Sequence, residues 1–158
     1  MNKGNTLFLK VTVCLIGLLI LAIGIFGLPR MANYTATIFP EFAYLQYPIL
    51  LGMYITVIPF FIALYQAFVL LQYIDKQHAF SDPSVKALRI IKYCAITISI
   101  MYVIGSIYLL TQNALHPGIV LIGCTIIFAS AIIAVFAAVL QMLLKNAIDL
   151  KSENEFTV

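Results

Sequence analysis

The sequence predicts an all-α, polytopic membrane protein with four transmembrane helices, and three observations carry that fold class. No Asp, Glu, Lys or Arg occurs among the 33 residues between Glu41 and Asp75, nor among the 52 between Lys92 and Lys145. Hydrophobic residues make up 63% of the 158 positions and charged residues 9%, so the solvent for most of this chain is hydrocarbon. The longer run is broken at Thr111-Gln112-Asn113-Ala114-Leu115-His116-Pro117-Gly118, where polar side chains precede the Pro and Gly that end one helix and allow a turn into the next.

A spanning helix needs about 20 mainly apolar residues. The 19 uncharged residues from Val11 to Pro29 supply the first span, over roughly 8–28. Lys3 and Lys10 precede it as they would a secretory signal, but the apolar stretch is too long and Leu28-Pro29-Arg30-Met31 lacks a small-x-small cleavage pattern, so a retained helix is expected. The second span covers roughly 49–74. Pro59 lies inside it, frees the carbonyl at Ile55 and should bend the rod. The third and fourth spans cover roughly 84–111 and 118–146, and the length suits a single domain over 1–158.

Four spans put both termini on one side. That side would hold Lys3, Lys10, Lys76, Lys86, Arg89, Lys92, Lys145 and Lys151, and the other only Arg30. Positive residues over short loops stay inside, so both termini are expected to be cytoplasmic in a multi-pass protein of the cell membrane. The expected organisation is an outer interfacial loop over 30–48, a cytoplasmic loop over 75–83 and a cytoplasmic tail over 147–158. The net charge of +3 is then a topology signal bordering the lipid. Direct nucleic-acid binding, which needs a basic folded surface, is not expected.

The outer segment carries Tyr34, Phe39, Phe42, Tyr44 and Tyr47 in a chain with no Trp. Tyr and Phe must therefore form its aromatic belt. A short ordered stretch between Phe39 and Tyr47 is expected against the lipid surface, with Glu41 and Gln46 towards water; a lid or a peptide-docking surface is the alternative. In the inner connection Asp82 is expected to cap the third helix and Pro83 to take its first position. Lys86, Arg89 and Lys92 then recur every three residues, and with Lys76 and His78 they form a candidate surface for anionic lipid headgroups or an acidic cytoplasmic protein. The acids Asp149, Glu153 and Glu155 of the tail are positioned in sequence to compete for that surface as a latch.

No charge lies in the middle of a span, which argues against a proton-coupled pump. Thr56, Gln66, Thr97, Ser99, Ser106, Thr125, Ser130 and Gln141 are expected to hydrogen-bond between helices, and Tyr65 with Gln66 marks the candidate intramembrane polar contact. Gly17 and Gly24, and the ladder Ser130, Ala134 and Ala138, are the expected packing faces; whether they close the monomer or join a homodimer stays open. Cys14, Cys94 and Cys124 occur singly, and His78 and His116 fall on opposite sides of the expected topology. There is no phosphate-loop or zinc-protease pattern, and Ser81, Asp82 and His78 have ordinary loop roles. No catalytic residue, metal site or cofactor is expected.

The stretch from His78 to Ala95 resembles the signature of a bacterial membrane family, domain of unknown function 2975 (DUF2975). Phe80-Ser81 and Leu88-Arg89-Ile90-Ile91 match its Phe-Ser pair and Leu-Arg-x-Ile core, while Pro83-Ser84 stand where that family has Asn. Its acidic-Leu-Thr-Val ending is echoed by Glu155-Phe156-Thr157-Val158, with Phe156 in place of Leu. The resemblance covers essentially all four spans. It implies an integral membrane protein of undefined activity, often encoded beside a small helix-turn-helix regulator. The expected function is accordingly regulatory, with the inner loop and tail docking a cytoplasmic partner. The alternative is a binding or transport module for a lipid, peptide or small apolar solute.

Overall fold

The computed structural model describes residues 3–114 and 116–156, and they are all α. Helix α1 (Lys3–Ala22) passes through a π-helical turn (Ile23–Gly27) into α2 (Leu28–Ile38). A 3₁₀ turn (Pro40–Leu45) leads into α3 (Gln46–Asp75), followed by α4 (Asp82–Thr111) and α5 (Pro117–Phe156). Four rods are long and apolar enough to cross a membrane: α1 with α2, the 3₁₀ turn with α3, α4, and α5. Leu18, Phe26, Leu51, Ile58, Phe128 and Phe136 stand exposed along them, as suits side chains whose solvent is lipid.

The outer segment departs from the expected loop. After Pro29 nothing between Arg30 and Ile38 breaks a helix, so α2 runs until Pro40, whose ring drives Phe39 out of the helical region to φ −119° and ψ 75°. The expected order between Phe39 and Tyr47 is present and Glu41 is exposed. Gln46 is half-buried, and its side-chain amide donates to Asn33 Oδ1 at the surface. α3 continues through Pro59 without ending.

Helix ends follow from local chemistry. Gln77 and Asn113 adopt positive φ of 59° and 56°, allowing His78 N–H to reach Tyr73 O at 2.8 Å and Ala114 N–H to reach Leu109 O at 3.0 Å. Such left-handed closures satisfy the last carbonyls of α3 and α4. The start of α4 lies one residue earlier than expected. Extended Ser81 flanks it, and its carbonyl accepts from Ser84 N–H (3.1 Å) and Val85 N–H (3.3 Å), so Asp82 is the first helical residue and Pro83 the second. Asp82 still favours the positive end of the helix dipole.

The rods form a row, not a closed bundle. α1 packs on α3, α3 on α4, and α4 on α5, while α1–α5, α1–α4 and α3–α5 have no sizeable interface. The connections from α3 to α4 and from α4 to α5 are short enough to make successive helices antiparallel neighbours. Lipid tails are as apolar as Leu, so no hydrophobic force closes the row on itself. On α5 the positions turned to α4 are Gly123, Ile127, Ser130, Ala134, Ala137, Gln141 and Leu144, alternately four and three apart. The small-residue ladder therefore closes the chain's own α4–α5 seam, with Ala137 rather than Ala138 fully buried. Gly17 lies against Phe61 and Leu64, and Gly24 against Tyr54, on the α1–α3 face.

The expected hydroxyl glue is mostly local. Thr97, Ser106 and Thr125 each donate to the carbonyl four residues back, and Thr56 to the carbonyl three back, because a short hydroxyl reaches its own helix before a neighbour. Ser99 does cross, reaching Ile127 O at 3.4 Å. Gln141 Oε1 is buried without a hydrogen-bond partner among the described residues.

Candidate functional site

The open row creates a site at one end. α4 touches both α3 and α5, which do not pack on each other, and residues of all three line a groove of about 820 Å³. α4 supplies Asp82, Pro83, Val85, Lys86, Ala87, Arg89 and Ile90; α3 supplies Tyr65, Gln66, Val69 and Tyr73; α5 supplies Lys145. Asp75 closes α3 and Asp82 opens α4, so this is the end where α1 begins, marked by the 2.5 Å ion pair of Lys10 with Asp75. We call it the basic end.

Two groups of residues that the sequence kept apart share this groove. Lys86 and Arg89, assigned to a surface contact, face the same space as Tyr65 and Gln66, assigned to an intramembrane one. At 1.5 Å per residue, Gln66 lies roughly 13 Å inside the end of α3, and Arg89 roughly 10 Å inside the start of α4. The groove therefore descends from a charged mouth along an apolar and aromatic wall. Tyr65 is 64% exposed, and the half-buried Gln66 amide makes no hydrogen bond among the described residues.

Electrostatics leave the mouth positive. Lys86, Arg89 and Lys145 make no ion pair among the described residues, and Asp82 is the groove's one carboxylate. The amides of Ser84 and Val85 are occupied by Ser81 O, so anion recognition here falls to side chains.

Three expected site residues lie elsewhere. Lys92 is half-buried with Nζ 4.8 Å from the centroid of the Tyr93 ring, because the two neighbours stack instead of pointing at the groove. Lys76 and His78 are exposed on the turn after α3, where His78 O accepts from Ser81 Oγ at 2.6 Å and Ser84 Oγ at 3.3 Å. The tail continues α5 as helix, and among the described residues Asp149 and Glu155 make no ion pair with Lys86, Arg89 or Lys92. The expected ending at Thr157 and Val158 lies outside the described residues. Lys145 is only a topology marker in the sequence; the antiparallel packing of α5 on α4 places it in the groove. Tyr73 carried no signal beyond its position in the last turn of α3.

Among the described residues no group of three or more His, Cys, Asp or Glu is placed to hold a metal ion.

Comparison with known proteins places the chain in a family without a defined activity. Residues 30–158 match the model described as protein of unknown function (DUF2975), so the chain belongs to that family. The match begins at Arg30 and leaves out α1, narrower than the four-span coverage expected from the signature residues. The chain is also 58% identical, over the whole of both chains, to the uncharacterized membrane protein YoaS of Bacillus subtilis (strain 168). No solved structure matches it.

Proposed function

We propose that this DUF2975 protein is a multi-pass cell-membrane protein that binds an anionic lipid in the groove at its basic end, with that end in the cytoplasm. The observation carrying this reading is the convergence of Lys86, Arg89 and Lys145 on the same space as Tyr65, Gln66 and Val69. Uncommitted cations at headgroup depth above an apolar wall suit an amphiphile whose charge and chain must both be satisfied. The eight-to-one distribution of Lys and Arg supports the orientation. The test is native mass spectrometry of the protein released from mild detergent. Retained anionic lipid should fall at least several-fold in a Lys86→Gln, Arg89→Gln, Lys145→Gln triple variant that elutes and melts like the parent. Equal retention in parent and variant would end the lipid reading.

A second reading, docking of a cytoplasmic protein at the same end, is favoured by one separate feature. Lys76 and His78 stand exposed outside the groove, and α5 runs on past Lys145 to Phe156. Charge-dependent capture of one soluble protein that survives the triple groove variant and is lost on reversing Lys76 would favour docking.

A further inference from the structure

We infer that the groove selects a lipid whose headgroup is a phosphate monoester, carrying two negative charges, over the singly charged phosphodiester headgroups of ordinary anionic lipids. The inference rests on the lipid reading above and adds the chemistry of the headgroup. Two features of the groove point the same way.

The first is charge. Lys86, Arg89 and Lys145 set against Asp82 leave the groove with two positive charges in excess, and none of the four is neutralised by an ion pair among the described residues. A diester brings one negative charge and leaves the mouth positive; a monoester at neutral pH brings close to two. Asp82 acts against any further anion, so it sets the upper limit of the charge accepted.

The second is donor count. Lys86 and Lys145 present compact ammonium groups and Arg89 a planar fork, on two different helices. Three cationic donors are matched by the three terminal oxygens of a monoester, whereas a diester has only two that are not bridging. Backbone amides do not make up the difference, since those of Ser84 and Val85 already point at Ser81 O. Lys86 and Arg89 are three apart on one helix and so adjoin on its surface. Lys145 reaches the headgroup from α5. A bound monoester would thus add to the α4–α5 seam at the mouth while its chain lies along Val69 on α3, bridging α3 and α5, which have no sizeable interface of their own.

The experiment compares phosphatidic acid with phosphatidylglycerol of identical chains, each titrated into the full-length protein in phosphatidylcholine nanodiscs and read by native mass spectrometry. Glycerol phosphate serves as the soluble control. At pH 7.5 phosphatidic acid should bind at least ten-fold more tightly, and the ratio should shrink at pH 5, below the monoester's second ionisation near pH 6. Asp82→Asn should tighten both lipids and widen the ratio, because the carboxylate it removes repels a dianion about twice as strongly as a monoanion. Equal binding of the two lipids by the parent protein overturns the monoester inference and leaves the lipid reading standing. Binding of neither overturns both. Glycerol phosphate binding as tightly as phosphatidic acid overturns the lipid as its source. The central comparison uses the unaltered chain, so its outcome does not depend on a variant folding.

Discussion

The hydroxyl of Tyr54 on α3 donates to the carbonyl oxygen of Gly24, inside the π turn that joins α1 to α2, at 2.6 Å. That carbonyl has a specific reason to need a donor. In the turn, hydrogen bonds run five residues back, as Leu28 N–H does to Ile23 O, and the donor due at Gly24 is residue 29, a proline without an N–H. Tyr54 supplies the missing proton from the neighbouring helix. Tyr54→Phe should therefore lower stability by about 0.6–2 kcal/mol. The loss should be much smaller in a Pro29→Ala background, where a backbone N–H returns. A double-mutant cycle of melting in detergent reads the coupling; equal losses in both backgrounds would show that the carbonyl does not depend on the tyrosine.

Lys10 and Asp75, with side chains 21% and 22% exposed, join α1 to α3 near the mouth of the groove. Lys10 Nζ also lies 5.7 Å from the centroid of the Phe68 ring. Removing one partner leaves the other charge half out of water, between the small cost of an exposed pair and the several kcal/mol of a buried one. Lys10→Met should cost about 1–3 kcal/mol. The exchanged pair Lys10→Asp with Asp75→Lys should recover most of that in thermal melts. A single replacement that leaves the melt unchanged would show that α1 is held by its Gly17 and Gly24 face alone.

Gln77 and Asn113 end α3 and α4 in the left-handed conformation. A side chain with a Cβ is disfavoured there by about 1–2 kcal/mol, less for Asn. Gln77→Gly should raise stability by about 0.5–1 kcal/mol net of glycine's greater chain entropy, and Asn113→Gly by less. Gln77→Val should lower it. A destabilising Gln77→Gly in the same melting assay would contradict the geometry of this turn.

The spans were legible because hydrocarbon imposes length and composition at once. The charge-free runs, with the Asp82-Pro83 start and the Pro117-Gly118 break, place α3, α4 and the beginning of α5 within a few residues of their observed bounds. What escaped the sequence depends on neighbours. No pattern along α2 announces that helix persists until Pro40, since an aromatic interfacial loop and an aromatic helix end have the same composition. The hydroxyls of Thr97, Ser106 and Thr125 look like interhelical glue until their own carbonyls are seen to take them. The groove was half legible: Lys86 and Arg89 stood out by spacing, and Tyr65 and Gln66 by polarity in an apolar run. Their union required knowing that α4 lies between α3 and α5 and that the row stays open.

Orientation rests on the asymmetry of Lys and Arg between the two ends. Asn113 and Gln77 make poor probe sites, because a cysteine at positive φ is strained. Glu41 and His116 at one end, and Lys76 and Ser152 at the other, are exposed in ordinary conformations and suit single-cysteine probes once Cys14, Cys94 and Cys124 are replaced by Ala. With an impermeant maleimide added outside intact cells, Glu41→Cys and His116→Cys should label, while Lys76→Cys and Ser152→Cys should label only after lysis. Outside labelling at Lys76→Cys and Ser152→Cys would invert the protein and put the groove beyond the reach of cytoplasmic-leaflet lipid. Outside labelling at only one of that pair would break the four-span topology itself, since α3 ends and α5 emerges at the same basic end.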